Sequence, residues 1–120
     1  MNEHEEQCAV IDYCDLKNIL IFAIPNGSYK SKTAAGKFKD EGLRSGVPDL
    51  FIPVSKFVFK ENTIEVIHGL FIEMKSKKGR LSDSQKEWIE KLSKEGYQAV
   101  CCHGADEAIK VINEYFELNY

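Results

Sequence analysis

No apolar stretch in this 120-residue chain is longer than six residues, Ile19-Leu20-Ile21-Phe22-Ala23-Ile24. A membrane-spanning helix needs ~20, so none is expected. The chain also lacks a secretory leader pattern, because Met1 to Gln7 is acidic and polar rather than basic and apolar. These two absences predict a cytoplasmic protein. There is no C-x-x-C pair among Cys8, Cys14, Cys101 and Cys102, which argues against a zinc site. The four thiols read as small buried apolar residues in a reducing compartment, with Cys101 and Cys102 on opposite faces of a strand. Nothing resembles a helix-turn-helix or a zinc finger, and there is no internal repeat or low-complexity segment. Finally, the chain has no excess of positive charge. With 16 Lys+Arg against 19 Asp+Glu the net is −3, which taken alone speaks against a nucleic-acid partner.

What is present is an ordinary globular composition, 43% hydrophobic and 29% charged, enough for one folded domain over residues 1–120. Residues 3 to about 17 are predicted to form a helix, with Val10, Ile11 and Cys14 as its apolar stripe. Ile19–Ile24 reads as a short buried strand closed by the turn Pro25-Asn26-Gly27. Thr33–Leu43 suits a short helix, and Asp49–Pro53 a strand. Phe57–Ile67 reads as a hairpin around Glu61-Asn62, and Leu70–Met74 as another strand. Ser82-x-x-Gln85 is a capping-box start for a helix that carries Trp88, Ile89 and Leu92 on its core face and ends at Gly96. Tyr97–Cys102 is predicted as a strand and Asp106–Leu118 as a last helix, facing the core with Ala108, Ile109, Ile112, Tyr115 and Phe116. That order predicts an α/β fold, a mixed sheet flanked by helices.

Two segments carry the chemistry. Gly46-Val47-Pro48-Asp49-Leu50 puts a carboxylate at the start of one strand. Phe71-Ile72-Glu73-Met74-Lys75 puts a carboxylate and an ammonium two residues apart, hence on one face of the next. Such charges are costly to bury unless they pair or hold a metal. Carboxylates from neighbouring strands suit magnesium, which takes a few carboxylates, waters and substrate phosphate oxygens. A nearby lysine can orient or deprotonate a water, or offset charge building on a phosphate. The bland alternatives are a Pro-Asp turn for Asp49 and a solvated strand face for Glu73 and Lys75. The apolar neighbours Leu70, Phe71, Ile72 and Met74 weigh against the second.

Pro48-Asp49 followed by Glu73-x-Lys75 is the PD-(D/E)xK nuclease signature. The chain resembles the VRR-NUC (virus-type replication-repair nuclease) family of that superfamily. The resemblance runs from Glu3 to about Ile112. It includes Glu3-x-x-x-Gln7, Pro25-Asn26-Gly27, Gly46-Val47-Pro48-Asp49-Leu50 and Gly69-Leu70-Phe71-Ile72-Glu73-Met74-Lys75. It ends with Gly79-Arg80-Leu81-Ser82-x-x-Gln85-x-x-Trp88 and Gly96-Tyr97.

The resemblance implies a restriction-endonuclease-like fold similar to the Holliday-junction resolvases. It implies Asp49 and Glu73 as metal carboxylates, the Met74 carbonyl as a further ligand, and Lys75 as the catalytic lysine. Glu3 would complete the metal site from the first helix, with Glu6 as the fallback. Gln85 would contact the substrate phosphate or support the lysine, beside its capping role. The implied cofactor is Mg2+, with Mn2+ able to substitute. The implied reaction is hydrolysis of DNA phosphodiesters to 5′-phosphate and 3′-hydroxyl ends. A chain this short has no separate sequence-reading module, so branched DNA (a Holliday junction or a flap) is the expected substrate and a homodimer the expected assembly. The resemblance implies a viral or mobile-element origin, typical of stand-alone members of the family, and a viral one would place this protein in the host-cell cytoplasm. A non-cleaving module that binds branched DNA, and a hydrolase of small phosphoesters, are the competing readings.

The distribution of charge reverses what the net value suggested. Nine of the 16 basic residues fall in 30–44 and 75–80, beside the motifs, whereas residues 81–120 carry eight acids against four bases. Lys77, Lys78, Arg80, Arg44, Lys30 and Lys32 are the expected DNA contacts.

Overall fold

The computed structural model describes residues 1–25 and 39–117. Helix α1 (Glu3–Leu16) starts at a reciprocal cap. The Asn2 side chain accepts from the Glu5 amide and the Glu5 carboxylate accepts from the Asn2 amide. The short strand β1 (Phe22–Ala23) follows, then β2 (Leu50–Ile52), a hairpin of β3 (Lys56–Lys60) and β4 (Thr63–Ile67), and β5 (Leu70–Lys75). Helix α2 (Asp83–Lys94), strand β6 (Gln98–His103) and helix α3 (Ala105–Tyr115) complete the chain.

The main sheet has the order β1-β2-β5-β6. Its first two pairings are antiparallel and β5–β6 is parallel, so the sheet is mixed as expected. Strand β5 is central and buried along its length except at Lys75. Alternation along it sorts its side chains. Leu70, Ile72 and Met74 join Leu50, Ile52 and Cys102 in a core closed by Val10 and Cys14 of α1 and Ala108 and Ile112 of α3. Phe71, Glu73 and Lys75 point to the other face, where Phe71 stacks on Phe51 with ring centroids 4.2 Å apart and meets Tyr97 edge-on. The hairpin forms its own two-stranded sheet. Its base is clamped to α3, where Lys56 Nζ donates to the Tyr115 carbonyl and Tyr115 Oη donates to the Val54 carbonyl.

The structure corrects several expectations. The Ile19–Ile24 run is not a buried strand. Only Phe22 and Ala23 pair, at the sheet edge, leaving Leu20 63% and Phe22 48% exposed. Continuous apolarity cannot tell an interior strand from an edge that gains only two rungs. Asp49 stands just before its strand rather than opening it. Strand β6 lies one residue later than expected, and α3 spans Ala105–Tyr115. Trp88 is half-buried rather than core, with Lys91 over its ring. No residue of α2 is fully buried, because that helix covers one side of the sheet and is covered by nothing described. Cys14 and Cys102 are buried, and burial pushes their thiols up to about 11 and about 12. Cys8, however, is exposed. The expected Thr33–Leu43 helix and the Pro25-Asn26-Gly27 turn fall largely outside the described residues.

Candidate active site

The loop before β2 brings the first carboxylate into place. Pro48 is fully buried. Gly46 has φ +94°, and a Cβ there would lie 2.7 Å from the Ser84 backbone carbon. A left-handed residue pressed against the start of α2 must be glycine. Asp49 emerges from this turn, and its Oδ2 accepts the Met74 backbone N–H at 2.9 Å. Strand β2 pairs with β5 only as far as Leu50↔Ile72, so Asp49 uses its side chain to take the next amide on that edge of β5, that of Met74. In an extended strand the carbonyl of a residue leaves on the same edge as its N–H. The Met74 carbonyl therefore lies on the Asp49 side.

Glu73 is 2% exposed. Its Oε2 faces Lys75 Nζ at 3.8 Å and accepts from Gln85 Nε2 at 3.3 Å. Its Oε1 is buried with no hydrogen-bond partner, an arrangement that costs free energy unless something else fills it. Burial, and then contact with the Asp49 carboxyl, push the Glu73 carboxyl up to about 9; the charge of Glu3 adds to this and Lys75 opposes it.

Glu3, Asp49 and Glu73 each offer an oxygen, and these lie within 4.8 Å of one another. Helix α1 and two strands thus converge three carboxylates, a hard oxygen donor set that fits a magnesium-sized cation. The buried Glu73 oxygen without a partner fits the same donor set, since a cation there would satisfy it. Glu6 is excluded from this cluster by another task. Its Oε2 accepts the Ala105 N–H at the start of α3, a helix whose cap residue Gly104 supplies no side chain. Of the two helix carboxylates, Glu3 stands within the cluster and Glu6 caps α3.

Gln85 does two jobs with one amide. Its Oε1 accepts the Ser82 N–H at 2.9 Å to close the capping box, and its Nε2 holds Glu73. Lys77, Lys78 and Arg80 follow β5 on an exposed turn. Lys77 and Lys78 border a groove with Met1, Glu6 and Gly104, beside the start of α1. Arg44 is exposed and donates to the Lys39 and Leu43 carbonyls. Lys30 and Lys32 lie outside the described residues.

His103 is not among the residues that the sequence singled out. It sits opposite Lys75 in the β5–β6 register, and its Nε2 meets the Gly79 carbonyl at 2.9 Å. The signal was its place one strand over from the E-x-K segment, visible only once β5 and β6 are known to be parallel neighbours.

The VRR-NUC domain family model matches residues 2–106. A solved structure named VRR_NUC domain protein superposes with a TM-score of 0.78 at 33% identity, over 99% of this chain and 91% of that one. No curated protein matches. Both matches span the carboxylate cluster, the E-x-K strand and the helix that carries Gln85. The chain belongs to the VRR-NUC domain family and has its nuclease-like, restriction-endonuclease-type mixed α/β fold.

Proposed function

We propose that this protein is a magnesium-dependent endonuclease that hydrolyses phosphodiester bonds in branched DNA. One observation carries the reading. A buried, unpartnered carboxylate oxygen of Glu73 sits within a cluster of three carboxylates, with a lysine at 3.8 Å. Glu3, Asp49 and Glu73, with the Met74 carbonyl, would hold the cation. When bound it supplies charge neutralisation and a more acidic water. Manganese satisfies the same oxygen donors.

The remaining work falls to the chain itself. Lys75 is only 15% exposed, so its ammonium is directed by the strand rather than solvated freely. It stands where it can orient the attacking water and offset charge on the phosphate oxygens. Gln85 fixes the Glu73 carboxylate. Met74 N–H fixes that of Asp49, so both are preorganised before substrate arrives. Lys77, Lys78 and Arg80 make no ion pair among the described residues, which leaves them available for phosphates.

With no groove-reading element described, DNA shape rather than base sequence sets the substrate. A homodimer belongs to the same reading, because a two-fold pair presents two sites to two strands. The hairpin supports it by leaving the cross-strand pairs Phe57–Val66 and Phe59–Ile64 exposed on one face.

The test is a cleavage panel of labelled single-strand, duplex, flap, fork and four-way junction DNA with magnesium. Cutting of a branched substrate is expected, with paired nicks on opposing strands of the junction from a dimer. Glu73→Ala and Lys75→Ala should each lose at least ~100-fold in rate. Cleavage that survives Lys75→Ala contradicts the mechanism, and binding without cleavage by the unaltered protein favours the non-cleaving module.

A further inference from the structure

We infer that His103 is a positioning residue that holds the basic turn after β5 in the conformation that receives DNA phosphates. The inference rests on the reading of Lys77, Lys78 and Arg80 as phosphate contacts, and it adds the part that orients them. The turn is short and polar, and by itself it has one closing hydrogen bond, Gly79 N–H to the Ser76 carbonyl at 3.0 Å. Its lysines and arginine are exposed and engage no carboxylate among the described residues.

The second anchor comes from a different strand. His103 Nε2–H donates to the Gly79 carbonyl at 2.9 Å across 24 residues of sequence. The ring is itself well supported. It leaves the sheet on the face of Glu73 and Lys75, in register with Lys75, and its own backbone N–H donates to Glu107 Oε2 at 3.2 Å. Both backbone groups of Gly79 are thereby used, one within the turn and one to the sheet. Gly79 has little room to shift, since a Cβ on it would meet Ser76 Oγ at 3.1 Å and Lys75 Cβ at 3.3 Å. A flexible turn bearing three cations must be ordered when a phosphate binds, at an entropic cost. A turn already pinned at Gly79 has met part of that cost in the free protein.

The test uses the whole chain, with cleavage kinetics and the salt dependence of DNA binding measured on one branched substrate. His103→Ala is expected to raise KM about five-fold with kcat within about two-fold, and to lower the slope of binding against salt by about one phosphate contact. His103→Gln, whose amide nitrogen reaches the position of Nε2, is expected to restore both. Unchanged KM and slope in His103→Ala would overturn the inference, as would a fall in kcat alone or a failure of Gln to rescue. Lys77→Ala with Lys78→Ala separates the two ideas. If that pair leaves binding unchanged, the phosphate-contact reading fails. If it weakens binding while His103→Ala does not, only the positioning role fails.

Discussion

Among the described residues there are two kinds of carboxylate–lysine pair, and they differ in distance and in exposure. On α2, Lys91 meets Glu87 at 2.9 Å and Lys94 meets Glu90 at 3.1 Å, and on the hairpin Lys60 meets Glu65 at 3.0 Å; all these side chains are more than half exposed. At the site, Lys75 and Glu73 are 3.8 Å apart and nearly buried. Water screens the first group, so good geometry there is worth ~0–1 kcal/mol. The second pair lies where water is largely excluded, and one Glu73 oxygen there has no hydrogen-bond partner. The exposed pairs sit in water with good geometry, whereas the buried pair is crowded, the kind of environment that clusters at functional sites.

The largest effect is expected from Glu73→Gln. It should abolish cleavage and at the same time raise the stability of the metal-free protein at neutral pH. The sign follows from the raised carboxyl. The folded protein holds a proton on Glu73 up to about 9, whereas the ordinary value is 4.5. Between those values the native state binds more protons than the unfolded one, so stability falls as pH rises through that window. Thermal melts of the metal-free protein at pH 5, 7 and 9 should show the Glu73→Gln advantage growing with pH. Added magnesium should narrow it by stabilising only the unaltered protein. An advantage that does not grow with pH would mean that Glu73 is not held protonated.

A smaller effect is expected from Glu6→Ala. It removes the cap on α3 and loosens the seat of α1, three residues beyond Glu3. A loss of about 1 kcal/mol in chemical denaturation should accompany weaker magnesium affinity by titration calorimetry. Unchanged magnesium affinity would show that the cap does not steady Glu3. The least effect should come from Glu90→Ala. Breaking an exposed pair of good geometry should change stability by less than about 0.5 kcal/mol and leave the cleavage rate as it was. A larger loss would erase the distinction between the two kinds of pair.

Much of this was legible in the residues. The E-x-K spacing puts Glu73 and Lys75 on one strand face in any extended backbone, and Ser82-x-x-Gln85 caps a helix wherever that helix packs. Both are local, and local geometry follows from covalent structure and nearby hydrogen bonds. The Ile19–Ile24 run misled because apolarity reports the wish to be buried and not the number of neighbours available. Trp88 misled for a related reason, since an amphipathic face shows which side of a helix turns inward but not how much covers it.

Local pattern in the residues was enough for most of the described elements, the charged pair on β5, the cap at Gln85 and the separation of a basic flank from an acidic C-terminal third. Only the tertiary structure decided which helix carboxylate joins Asp49 and Glu73, that Gln85 holds Glu73 while it caps, and that His103 pins a turn 24 residues before it. Those contacts join residues far apart in the chain. They depend on which strands are neighbours and in what register, and that is settled by packing of the whole core rather than by any segment alone.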